Sequence, residues 1–248
     1  MGTHPGILSP AEALALLPEV FAEATRARLS ADRESQWLED RAGRITSSVA
    51  GDLFTPTLAP ANNAKSRKLI ATKCAELLGA RRPSITGAAL RHGNEYEPEG
   101  VAELQRRTGW TLERTGEAQT FIPDGETGGG TPDGLRVDPA PVVPVEGKCP
   151  YDPAVHFAYL TMQAGEELLD INHVYYVQVQ DQCRILDADY GIFWTYCPDP
   201  GVAEALRLAW WEVPHDRAFT ERLAERIAEA HREATELAEQ IRQRRGIQ

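Results

Sequence analysis

The sequence predicts an α/β fold in which a central mixed sheet is flanked by helices. Three observations carry this. Short segments at Trp110–Arg114, Ala118–Ile122, Gly134–Val137 and Val142–Lys148 read as strands between Gly and Pro turns. The segments on either side repeat apolar residues at helical spacing. Neither an internal repeat nor a linker interrupts the 248 residues, so one domain over 1–248 with helical N- and C-terminal additions is expected.

Taken in order, Ser9-Pro10-Ala11-Glu12 has the chemistry of a helix start, and an amphipathic helix is expected to about Leu29. Arg41 to Ser48 reads as a turn feeding a short helix through Phe54. Pro56 to Asn63 is a loop, and Ala64 to Leu78 is helical. A further helix runs from Thr86 to about Arg107, interrupted or kinked by Pro98. Gly125 to Gly130 is glycine-rich and reads as a flexible hairpin connection; it lacks the lysine and helix of a Walker phosphate loop. Residues 153–168 and 173–186 read as helices, Gly191–Tyr196 and Leu206–Val213 as strands, and Asp216–Arg245 as a long closing helix.

With 42% hydrophobic and 25% charged residues, the composition is that of a soluble globular protein. There is no apolar run of bilayer length, and MGTHPGILSP lacks the pattern of a signal peptide, so no membrane role is expected. Four widely spaced cysteines without a CxxC pair argue against a zinc site or a disulfide framework and suit a reducing cytoplasm.

The net charge of −11 is unevenly spread. Between Ala61 and Arg91 lie Lys65, Arg67, Lys68, Lys73, Arg81, Arg82 and Arg91 against one acid, Glu76, leaving −17 for the rest of the chain. Such a run is usually a solvated helix face. Beside the motif described next, a surface that tracks phosphates is expected.

Thr131-Pro132-Asp133-Gly134 is followed by Val145-Glu146-Gly147-Lys148. Residues i and i+2 of a strand share a face, so Glu146 and Lys148 project together. A Pro-Asp-Gly turn can bring the Asp133 carboxylate to Glu146. Two carboxylates and a lysine on one patch can hold Mg²⁺ and activate water for phosphodiester cleavage. The bland alternatives are a turn-capping Asp133 and a surface Glu146–Lys148 ion pair. His92, His156 and His173 match no ligand spacing and are expected in packing or surface roles.

Five blocks in order carry a resemblance: W-L-E-D-R-A-G-R-I-T-S-S from Trp37, L-R-H-G-N-E-Y-E from Leu90, T-P-D-G-L, V-E-G-K-C-P and Y-Y-V-Q-V-Q. The chain resembles the lambda-exonuclease family of phage-type recombination nucleases, within the PD-(D/E)xK superfamily. The resemblance implies a restriction-endonuclease-like core with Asp133 and Glu146 as central metal ligands, the Gly147 carbonyl as another, and Glu97 as the acid supplied by a helix. Glu97 rather than Glu95 or Glu99 is selected by the Gly-x-x-Tyr-Glu spacing. It further implies that Lys148 acts at the attacking water and that Gln178 orients the site, with a polar helix position as the alternative for Gln178 and Gln180. Arg41, Thr46 and Ser48 would bind a 5′-phosphate. Leu90 would be a wedge at the terminal base pair, or else a core residue.

The implied activity is a 5′-to-3′ exonuclease that takes one strand of double-stranded DNA to mononucleotides. It would use two Mg²⁺ ions, with Mn²⁺ as a substitute. The implied partners are double-stranded DNA ends, two further copies in a homotrimer, and a cognate single-strand annealing protein, all in the cytoplasm of a bacterial or phage-infected cell. Competing expectations are another PD-(D/E)xK nuclease, either a restriction endonuclease or a CRISPR-associated iron–sulfur exonuclease, and a non-catalytic scaffold that binds DNA ends. The cysteine spacing disfavours the iron–sulfur enzyme.

Overall fold

The computed structural model describes residues 35–81 and 87–247. The helix expected from Ser9 to Leu29, together with Arg82 and Thr86, lies outside the described residues. The chain divides into two compact units, residues 1–40 and 41–248. The described part of the first is a helical segment over 35–40.

The second unit opens with strand β1 (Ile45–Thr46) and the short helix α1 (Ser47–Ala50), which passes into a 3₁₀ turn over Gly51–Leu53. Helix α2 (Ala64–Leu77) starts at Asn63, whose side chain accepts from the amides of Lys65 and Ser66 while Ser66 answers in a capping box. Helix α3 (Ala88–Thr108) runs through Pro98 without a break and stops at Gly109, which has a left-handed φ of 72°.

Strands β2 (Thr111–Glu113), β3 (Ile122–Asp124), β4 (Gly128–Gly130), β5 (Gly134–Asp138) and β6 (Val143–Lys148) follow. Then come α4 (Pro153–Tyr159), α5 (Leu168–Ile171), α6 (His173–Leu186), β7 (Tyr190–Tyr196), α7 (Glu204–Arg207), β8 (Leu208–Pro214) and α8 (Arg217–Arg245). Five strands form a mixed sheet in the order β2-β5-β6-β7-β8, with β6 and β7 parallel and the other neighbours antiparallel. A second sheet of order β1-β4-β3 stands apart.

Each face of the larger sheet has its own core. One, containing Phe193 and Val213, packs against Tyr176, Val177 and Val179 of α6 and Phe219, Leu223 and Ile227 of α8. The other, containing Val143, Val145 and Trp194, packs against Val101 and Leu104 of α3. A mixed sheet with helices on both faces thus matches the expected fold class.

Several expected elements differ. Ala118–Ile122 is not a strand: Gly116–Ala118 is a 3₁₀ turn, and β3 begins only at Ile122. Gly128–Gly130 is no flexible connection but a fully buried strand between β1 and β3. A Cβ on Gly129 would meet the Phe121 ring at 2.2 Å, so glycine here serves close approach rather than mobility. Helix 153–168 ends at Tyr159, and the strand expected from Leu206 begins at Leu208 after α7.

The basic run also needs correction at Lys73. Its side chain is 1% exposed and its ammonium lies 3.0 Å from Glu76 Oε2, so it belongs to the packing of α2. Lys65, Arg67 and Lys68 on the same helix remain exposed.

Candidate active site

The site forms where two strands separate. The β5–β6 pairing reaches Gly134 opposite Val145. Beyond it β6 continues beside β7, with Glu146 opposite Phe193 and Lys148 opposite Thr195. Asp133, one residue before β5, fills the gap: its Oδ2 accepts from the Gly147 amide at 2.9 Å. A side chain thereby replaces a backbone carbonyl at the end of the ladder. The turn brings Asp133 to the backbone of β6, and no hydrogen bond joins its carboxylate to that of Glu146.

Glu146 is 2% exposed. Its Oε1 accepts from Gln178 Nε2 at 2.7 Å and from the Lys148 ammonium, and its Oε2 accepts from Gln182 Nε2 at 2.7 Å. The Lys148 ammonium also lies 3.9 Å from Asp133 Oδ2 and 4.8 Å from the centre of the Tyr175 ring. Burial disfavours its charge, yet Glu146 and Asp133 outweigh that and raise its pKa, so the lysine stays protonated. This ion pair is enclosed by α6, unlike the surface pair that would carry little energy.

Glu97 reaches the same region from α3. Gln119 Nε2 donates to its Oε1 at 3.0 Å. Burial raises its pKa, Lys148 opposes the rise, and Glu146 adds to it. Asp133 is likewise raised by burial and by the charge of Glu146, against the pull of Lys148. Of the neighbouring acids, Glu99 accepts from the Tyr196 hydroxyl and Glu95 is exposed. Glu97 is therefore the helix acid that shares the field of Lys148 and Asp133.

Trp194 sets how α3 meets the strands. A Cβ on Gly100 would lie 2.4 Å from its ring, and one on Gly147 would lie 2.1 Å from it. The indole is thus clasped between the helix that bears Glu97 and the strand that bears Glu146 and Lys148.

Three carboxylates share the field of one lysine; burial above all, and then the charge of Glu146, raises Glu97 and Asp133. Oxygen donors with excess negative charge suit a hard divalent cation. Among the described residues no three His, Cys, Asp or Glu side chains form a ready-made cage. The donor chemistry of these side chains suits a divalent ion.

A second cluster lies at the start of the sequence-adjacent turn. Arg41 donates through Nη1 to Thr131 Oγ1 at 3.1 Å, and through Nη2 to Thr46 Oγ1 at 3.2 Å and Ser48 Oγ at 3.3 Å. Thr46 and Ser48 lie 3.2 Å apart. Thr131 stands two residues before Asp133, so the cluster adjoins the carboxylate site along the chain.

A family model for the YqaJ-like viral recombinase domain matches residues 36–189. The chain belongs to this family. The match spans every carboxylate, the lysine and both glutamines of the site. The YqaJ-like chain also shares its fold with solved exonucleases. It is 20% identical to an alkaline exonuclease, LHK-Exo from Laribacter hongkongensis, over 86% of this chain and 98% of that one, with a TM-score of 0.70. The same enzyme in complex with dAMP gives a TM-score of 0.71. A phage-related exonuclease from Haemophilus somnus 129PT is 13% identical over 80% of this chain and 96% of that one, with a TM-score of 0.64. No curated protein sequence matches. Family membership and the carboxylate–lysine site together make this YqaJ-like protein a nuclease.

The YqaJ-like domain gathers Asp133, Glu146, Gly147, Lys148, Glu97 and Gln178 in one place, and Arg41, Thr46 and Ser48 in another. Leu90 on α3 is 46% exposed, which removes the core reading and leaves an apolar side chain facing solvent. Gln180 belongs to the scaffold, donating to the Pro214 carbonyl and accepting from the Asp216 amide. His156 is buried between Thr195 and the Leu206 carbonyl, a packing role. Gln182, Gln119 and Thr131 were not anticipated. The i, i+4 repeat of Gln178 and Gln182 on one helix was the available signal for Gln182.

Proposed function

We propose that the protein is a Mg²⁺-dependent exonuclease that digests one strand of duplex DNA from its 5′ end. The product would be mononucleotides and a 3′ single-stranded tail for a cognate annealing protein. The observation that carries this reading is the Arg41 cluster, hydrogen-bonded through Thr131 to the segment that delivers Asp133. A guanidinium ringed by three hydroxyls suits a terminal phosphate, because it can bind two oxygens at once.

Asp133, Glu97, Glu146 and the Gly147 carbonyl would hold Mg²⁺, for which Mn²⁺ could substitute; two ions are expected. When bound, the metal supplies Lewis-acid charge for phosphodiester hydrolysis. Lys148, held protonated by its carboxylate neighbours, would offset negative charge gathering on the scissile phosphate. Gln178, which donates to Glu146 Oε1, would fix the orientation of that carboxylate. Leu90, exposed and seven residues before Glu97 on α3, would act as the wedge at the last base pair. The reading includes a homotrimer that encloses duplex DNA, and a cytoplasmic location. Among the described residues no helix is long and apolar enough to cross a membrane.

Linear duplex labelled at either end, with Mg²⁺ or EDTA, tests the reading. Label should leave the 5′ end in Mg²⁺ only, and Asp133→Ala should abolish it. Release from the 3′ end would refute the polarity, and cutting of covalently closed circles would favour an endonuclease. Solution mass tests the trimer.

A further inference from the structure

We infer that Gln182 is a positioning residue for Glu146, fixing which carboxylate oxygen is offered to a divalent cation. The inference rests on the metallonuclease reading above.

Gln182 lies one helical turn beyond Gln178, on the same face of α6. The two amides divide the carboxylate between them, Gln178 taking Oε1 and Gln182 taking Oε2. The oxygens are not equally occupied. Oε1 also receives the Lys148 ammonium, whereas Oε2 has Gln182 as its single donor among the described residues. A carboxylate offers about four lone-pair directions, two on each oxygen. Oε2 therefore keeps one free, and the amide of Gln182 sets where it points.

The orientation of that amide is itself determined. Gln182 is 1% exposed, and its Oε1 is buried without a hydrogen-bond partner among the described residues. Turning the amide over would place that oxygen against Glu146 Oε2, oxygen facing oxygen. The observed orientation satisfies Glu146 and leaves the glutamine's own acceptor unmet, a cost borne by Gln182 for its neighbour. Gln180 shows the contrasting case on the same helix: both ends of its amide are used, and both partners are backbone.

The test measures metal binding directly, by Mn²⁺ titration followed by electron paramagnetic resonance, alongside DNA degradation. Gln182→Met keeps volume and removes the donor, and Gln182→Asn keeps the amide but shortens its reach. Both should raise the Mn²⁺ dissociation constant about tenfold. The Mg²⁺ concentration for half-maximal rate should rise in parallel, with KM for DNA unchanged. Gln180→Met should lower the unfolding temperature and leave Mn²⁺ affinity alone. Folded Gln182→Met and Gln182→Asn proteins with wild-type Mn²⁺ affinity would overturn the inference. The binding measurement needs no turnover, so wild-type protein that degrades no DNA would sink the nuclease reading separately.

Discussion

The ring of Trp194 occupies the space that a side chain at Gly147 would need, with Cζ2 2.1 Å from the Cβ position. The middle residue of Glu146-Gly147-Lys148 is thus set by packing on one face of β6, while its neighbours serve the other. Gly147→Ala should destabilise the protein by about 1–3 kcal/mol through overpacking and should lower activity by displacing Glu146 and Lys148. Chemical unfolding of Gly147→Ala, Trp194→Phe and the double variant checks this. The two substitutions should be non-additive, the smaller ring recovering part of the loss.

Lys148→Met should slow hydrolysis by about 10²–10⁴-fold, the range for removing one charge or proton-transfer group, and should leave the protein folded. Because the lysine is held protonated, the wild-type pH–rate profile should show no limb from its deprotonation near its ordinary pKa, about 10.4. Single-turnover rates against pH decide the point.

Arg41→Ala should erase preference for a 5′-phosphate over a 5′-hydroxyl end. Losing charge-assisted hydrogen bonds costs about 1.5–3 kcal/mol, or roughly 10- to 150-fold, expected in KM more than in kcat. Thr131→Val should have a smaller effect in the same direction. Paired substrates differing only at the 5′ end supply the measurement.

Lys73 and Lys68 should part company. Lys73→Ala leaves Glu76 buried without this partner and should cost about 3–5 kcal/mol, with the salt dependence of DNA binding unchanged. Lys68→Ala should be neutral for stability and should reduce the salt slope by about one if it meets a phosphate. Thermal melts and binding at several salt concentrations separate the two.

The contribution of His156 to stability should fall as the pH drops below about 6.5, the unfolded histidine value. Burial lowers the pKa of His156, and the Leu206 carbonyl only partly opposes this. A histidine depressed in the folded state contributes stability that is present above its unfolded pKa and is lost as pH falls through its folded pKa. Nε2 must carry the proton to donate to the carbonyl, so added charge falls on Nδ1, facing Thr195. Urea unfolding between pH 7.5 and 5 should show a shallower decline for His156→Gln.

Asp133, Glu146 and Lys148 were legible because each sits in a short block whose local spacing fixes its face, whereas Gln178 was reached only through the family resemblance. The long helix from Asp216 was legible for the same reason as those three, since its apolar period is written in neighbouring residues. The partners contributed by the fold were not. Gln119 meets Glu97, and Thr131 meets Arg41 across 90 residues, through tertiary contacts that no local pattern encodes. Gly128–Gly130 misled because glycine records both freedom and crowding, and only the Phe121 ring shows which applies. Lys73 misled because counting charges cannot distinguish a lysine facing solvent from one turned onto Glu76.

The bond from the Gly147 amide to Asp133 Oδ2 has one more consequence. That proton is retained by a carboxylate rather than by a strand, so its exchange with deuterium should follow the state of the acid instead of the sheet. Asp133→Ala should release it selectively while the amides of Val143 and Val145 stay slow. A single backbone signal would then report whether the cleft is assembled, in solution and with no substrate present.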